Sequence, residues 1–66
     1  MKLSMERIEA LASQPGVKRL AVENFLCTID GLTRDEALAN LEQDTKAYKW
    51  NAATGRAIRL GILEAK

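Results

Sequence analysis

The sequence predicts an all-α fold, a small bundle of three to four short helices with the second helix central. Three observations support this prediction. The stretch Val17–Ile29 is apolar on most sides of a helix and needs cover from neighbours. Turn pairs, Pro15-Gly16 and Asp30-Gly31, divide the chain into short segments. Thr33 and Glu36 form a capping box, which marks the start of a helix.

The size of the chain limits how it can be stabilised. Its 66 residues form one expected domain, residues 1–66, and such a chain buries only about 60 % of its unfolded surface. One cysteine cannot form an intramolecular disulfide, and the absence of histidine makes a zinc site improbable. Helix packing and self-association are the remaining sources of stability, so we expect a homodimer. No other metal or cofactor pattern is present.

The first helix is predicted over Met5–Ser13, with Ser4 as its N-cap. Apolar side chains fall on one side of it, which makes this helix a cover for the core. Pro15 and Gly16 end the segment, because Pro15 disfavours helical geometry at the residue before it. The apolar positions are Met5, Ile8, Leu11 and Ala12.

The second helix runs to about Thr28 and ends at Asp30-Gly31, where glycine can adopt a positive φ. Cys27 lies among apolar neighbours in the sequence, and no base is evident beside it. We therefore expect its thiol to be enclosed and unreactive.

The third helix is predicted to begin at Arg34, directly after the Thr33 cap. Its charges run from acidic to basic, the order that the helix dipole favours. The predicted core positions follow three- and four-residue steps: Ala37, Leu38, Leu41, Thr45 and Tyr48.

A bend at Trp50-Asn51 is predicted to separate the third helix from a fourth, which Asn51 caps and which runs from Ala52 to about Ala65. The alternative is one long helix through Trp50, since Ala52 is a strong helix former. We favour the bend, because Asn51, like the threonine and glycine that follow, is weak in helix interiors.

Small residues recur every four positions along the fourth helix and form a shallow groove that allows close helix packing. Two interpretations stay open. The groove is an interface for a partner or a second copy, or it seats the central helix of the same chain. The residues are Ala53, Ala57, Gly61 and Ala65.

Charge is uneven along the chain. Residues 31–45 contain one basic and four acidic side chains, whereas residues 46–66 contain five basic and one acidic. The basic third, with its aromatic residues, is a candidate nucleic-acid surface, and the start of the fourth helix adds N–H groups that bind anions. A helix-turn-helix over Glu23–Leu41 fits poorly, because its recognition helix would present carboxylates to phosphates. The candidate binding residues are Lys46, Lys49, Trp50, Arg56 and Arg59.

Catalysis is not expected, since the chain lacks histidine and any phosphate-binding or nucleophile motif. No apolar segment approaches the ~20 residues of a membrane span, and the lone cysteine suits a reducing cytoplasm. The sequence thus predicts a cytoplasmic, non-catalytic protein-interaction or regulatory module that associates with a protein partner or itself. The alternative is a small nucleic-acid-binding protein. The acidic third helix and the basic C-terminal third also suggest pairing between two copies.

Overall fold

The computed structural model describes residues 4–48 and 50–64, with the side chains of residues 45–48 left out of the description. Within those ranges every regular element is a helix, so the predicted all-α class is confirmed. The four helices are α1 (Met5–Ala12), α2 (Arg19–Thr28), α3 (Arg34–Tyr48) and α4 (Ala52–Glu64).

Helix α1 begins where the sequence predicts. The Ser4 hydroxyl accepts a hydrogen bond from the backbone N–H of Arg7 at 3.3 Å, which satisfies one of the free donors of the first turn. The helix buries Ile8 and Leu11 on one side and ends at Ala12, one residue before the predicted end. This short helix therefore covers one side of the core.

Helix α2 supplies Val22, Phe25 and Leu26 to the core. Its opposite side is open: Leu20 is 66 % exposed, and Cys27 is also exposed. The expectation that α2 is covered on most sides is therefore wrong. In the described chain α1 and α4 make the main packing against α2, and two short helices cover only part of its circumference.

The capping box of α3 is confirmed in both directions. The backbone N–H of Glu36 donates to the Thr33 hydroxyl at 3.2 Å, and the Thr33 N–H donates to the Glu36 carboxylate at 3.1 Å. Ala37 and Leu41 are buried, and Leu38 is half-buried against the core. The side chains of the other two predicted core positions, Thr45 and Tyr48, lie outside the description.

Two separate helices follow one another at Trp50-Asn51, as predicted. The Asn51 side-chain oxygen accepts the backbone N–H of Thr54 at 2.7 Å and caps α4. The described part of α4 ends at Glu64, and the predicted end near Ala65 lies outside the described residues.

Helix α4 contacts all three other helices and carries Thr54, a buried polar residue. The Thr54 hydroxyl donates to the Gly16 carbonyl oxygen and accepts the Lys18 backbone N–H, both at 3.2 Å. The Asn51 amide donates to the same Gly16 oxygen at 2.7 Å. These bonds hold the α1–α2 loop against the first turn of α4.

Gly16 should tolerate substitution less well than Gly31. Both have positive φ, 81° and 86°. A Cβ at position 16 would lie 3.1 Å from the Ala53 Cβ, whereas one at position 31 meets open space. We expect Gly31→Ala to cost about 1–2 kcal/mol of unfolding free energy and Gly16→Ala roughly 1–3 kcal/mol more. Urea denaturation measures both, and equal losses would contradict the tight contact at Gly16.

The Glu36 carboxyl should titrate below a free glutamate. The Thr33 backbone N–H, and then its hydroxyl, lower the pKa of this carboxyl because both hydrogen bonds favour the charged form. A lowered folded-state pKa contributes stability above the unfolded-state pKa, and this contribution is lost as pH falls through the folded-state pKa. NMR titration of the Glu36 side-chain carbon from about pH 2 to 7 measures the midpoint. Thr33→Ala removes the hydroxyl but keeps the backbone N–H, so it should raise the midpoint only part of the way to that of a free glutamate. A wild-type midpoint equal to that of a free glutamate would refute the cap as the cause of the lowered pKa.

Candidate functional site

Three of the basic and aromatic residues predicted to bind nucleic acid have described side chains, namely Trp50, Arg56 and Arg59. Arg56 is exposed, whereas Arg59 forms an ion pair with Glu42 at 3.8 Å. The half-buried Trp50 ring packs edge-on against Phe25, with centroids 5.5 Å apart and planes at 83°. Lys49 and the Lys46 side chain lie outside the description.

One N–H group at the start of α4 is already bonded within the chain. The Asn51 side-chain oxygen accepts the N–H of Thr54 at 2.7 Å. A helix N-terminus binds an anion through such donors, so the chain's own cap already uses part of this site. Nucleic-acid binding through this region stays a prediction.

The row of small residues on α4 faces the chain's own α1 and the α1–α2 loop. Ala57 is fully buried, and a Cβ on Gly61 would collide with the Leu11 side chain. Ala53 lies against Gly16, and Ala65 is outside the described residues. The row therefore seats α1, where the sequence suggested the central helix, and a second copy could reach the row only along its edge.

The other side of α4 carries two large apolar residues that the core does not use. Leu60 is 43 % and Leu63 42 % exposed. Residues three apart on a helix are neighbours, so the two leucines adjoin. We call the exposed residues around them the outer face of α4: Arg56, Arg59, Leu60, Leu63 and Glu64.

Single exposed leucines are common on protein surfaces, so the arrangement of these two is what matters. The remaining large exposed apolar side chains of the described residues lie elsewhere: Met5 on α1, Leu20 on α2 and Leu32 in the loop between α2 and α3. Leu60 and Leu63 form a pair on one helix turn, flanked by two arginines and a glutamate. Apolar residues rimmed by charge are typical of a protein-interaction surface.

A groove of about 370 Å³ runs along the seam between α1 and α4, directly beside Leu60. Small side chains shape its floor, and the Arg7 guanidinium donates to the Gly61 carbonyl oxygen within it at 3.3 Å. The outer face of α4 thus combines projecting leucines with an adjacent recess. The lining residues are Arg7, Ala10, Leu11, Gln14, Ala57, Leu60, Gly61 and Glu64.

A second groove, of about 340 Å³, lies between α2 and the end of α3, and its lining includes Phe25, Trp50, Asp44 and Cys27. Cys27 is exposed here, so the expectation of an enclosed thiol is wrong. The prediction relied on the apolar residues next to Cys27 in the sequence, but consecutive residues of a helix point in different directions. In the described part of the chain, no group of three or more histidine, cysteine, aspartate or glutamate side chains is placed to bind a metal ion.

Comparison with known proteins finds no matching family model, and no significantly similar curated protein or solved structure. Within the described residues no helix combines the length and apolarity that crossing a bilayer requires.

Cys27 should react readily in the folded protein. Because its side chain is exposed, we expect a thiol reagent such as DTNB to label native protein at a rate within about tenfold of the urea-unfolded chain. Absorbance of the released thiolate follows the reaction. Protection by more than about a hundredfold would contradict the exposure of Cys27.

Proposed function

We propose that this chain is a non-catalytic protein-interaction module that associates with a second copy of itself. The observation that carries the proposal is the pair Leu60 and Leu63, more than two-fifths exposed and side by side on α4. The core does not need them, since Ile58 and Ile62 fill the inner face of the same helix.

The size of the chain supports self-association. A domain of 66 residues has a narrow stability margin, because it hides a smaller share of its surface than a larger domain does. Burying the two leucines in a dimer removes apolar surface from water, and binding of a second copy stabilises the folded state. The exposed unpaired thiol of Cys27 is compatible with the reducing cytoplasm that we also propose as its location.

The outer face favours a protein partner over nucleic acid. Of the described members of the predicted nucleic-acid set, Arg59 and Trp50 contact the chain's own Glu42 and Phe25. Arg56 has Glu64 two turns away on the same face, and that carboxylate opposes a phosphate backbone. A surface with both charge signs and apolar centres matches another protein surface better.

Solution mass tests the proposal. In sedimentation equilibrium from ~1 µM to ~1 mM, we expect the mass to rise from 7.3 kDa to twice that value, with a Kd in the micromolar range that suits a small interface. A mass of 7.3 kDa at every concentration would refute self-association.

The same protein should be titrated into fluorescent single- and double-stranded oligonucleotides in about 50 mM salt. Binding that weakens steeply as salt rises to about 200 mM would support the nucleic-acid alternative instead, since release of counterions gives that dependence. We expect no such binding.

A further inference from the structure

The outer face of α4 contains a row of three residues whose charges are complementary to those of a second copy of the row in the opposite direction. Arg56, Leu60 and Glu64 are spaced by four residues, so they lie along one ridge of the helix. All three are exposed. The order of the ridge is cation, apolar residue, anion.

The charged residues at the two ends of this ridge have no ionic partner within the described chain. Neither the Arg56 nor the Glu64 side chain makes an ion pair or hydrogen bond with a described residue, whereas neighbouring Arg59 contacts Glu42 at 3.8 Å. Arg56 and Glu64 are too far apart along the helix, at eight residues, to pair with each other. Both charges are therefore free to meet partners from outside the chain.

We propose that two copies of this chain pair through the ridge Arg56–Leu60–Glu64, with their α4 helices antiparallel about a two-fold axis at Leu60. This inference rests on the proposed self-association and names its interface. In this arrangement Leu60 meets Leu60 of the second copy. Arg56 meets Glu64 of the second copy, and the symmetry repeats that ion pair on the other side of the axis.

The order of charges selects the antiparallel direction. A parallel pair in register would place Arg56 against Arg56 and Glu64 against Glu64, and like charges across an interface are unfavourable. Reversing one helix converts both repulsions into attractions. An isologous interface needs a surface complementary to itself, and this ridge meets that requirement.

The shape around the ridge also suits a second copy. Leu63 extends the apolar area on one side of Leu60, and the groove at the α1–α4 seam lies on the other. The lining of this groove includes Ala10 and Leu60, so an apolar side chain of the second copy would contact the groove at its edge beside Leu60.

A charge-swap experiment tests the pairing. The dimer Kd of the full chain is measured by sedimentation for the wild type, Arg56→Glu, Glu64→Arg and the double variant. Each single change creates two like-charge contacts and should raise Kd at least about tenfold. The double variant restores opposite charges and should return Kd to within about threefold of wild type. Lys18→Glu matches the charge change of Arg56→Glu at an exposed site on another element and should leave Kd unchanged.

The outcomes separate this inference from the broader proposal. A wild type that stays monomeric overturns both. If the wild type dimerises and the single charge reversals leave its Kd unchanged, the ridge is not the interface, although self-association stands. The same conclusion follows if the double variant does not recover the wild-type Kd. Far-UV circular dichroism establishes that each variant is folded before its mass is interpreted.

A cross-link locates the axis independently. In a Cys27→Ser background, Leu60→Cys places a thiol beside its own symmetry mate and should form a disulfide-linked dimer under mild oxidation. Leu20→Cys in the same background is a control at a site that is more exposed. Equal cross-linking at both sites would overturn the two-fold axis at Leu60.

Discussion

The hydroxyl of Thr54 joins the α1–α2 loop to the first turn of α4, and the arrangement of the bundle depends on this attachment. It donates to the Gly16 carbonyl oxygen and accepts the N–H of Lys18. Lys18 is the N-cap of α2 and offers no side-chain cap of its own, so α4 supplies a partner that α2 lacks. A buried hydroxyl with both a donor and an acceptor in place avoids the cost of an unsatisfied polar group.

This attachment lies at one end of the side of α4 that packs against the rest of the chain. With the loop held at Thr54, α1 lies along the small-residue row, where Leu11 fills the space above Gly61. Gly16 approaches Ala53 closely at the other end of the row, in a backbone conformation that favours glycine. The side of α4 that looked most like an interface is thus part of the intramolecular packing. The side with leucines and charges is left for a partner.

Helix α4 consequently carries two different kinds of surface. Its inner face holds Thr54, Ile58 and Ile62 in the core and contacts every other helix. Its outer face keeps Leu60 in solvent between a free cation and a free anion of the described chain. A short helix with both surfaces links folding to association, because the outer residues align in a ridge only while α4 is helical, and packing of its inner face keeps it helical.

The elements of the fold could be predicted from local chemistry. Ser4, Thr33 and Asn51 each accept a backbone N–H of the next turn. Such caps can be predicted from sequence because both partners lie within three residues. The glycine turns can be predicted in the same way. The exposure of Leu20 and Cys27 was not, since apolar character alone does not tell which side of a helix its neighbours will cover. The candidate site is only partly predictable from sequence: Arg56 belongs to the predicted basic set, whereas the importance of Leu60 and Glu64 depends on what α1 and α3 leave uncovered.

The sequence by itself determined the helical segments and the caps of α1, α3 and α4, and it favoured a bend at Trp50-Asn51 over one long helix, because interactions between residues a few positions apart set these features. Only the tertiary structure decided that α1 occupies the row at Gly61, that Trp50 packs on Phe25, and that Arg59 pairs with Glu42. Those contacts join residues distant in the chain, and which of several apolar faces meet is a property of the whole packed bundle.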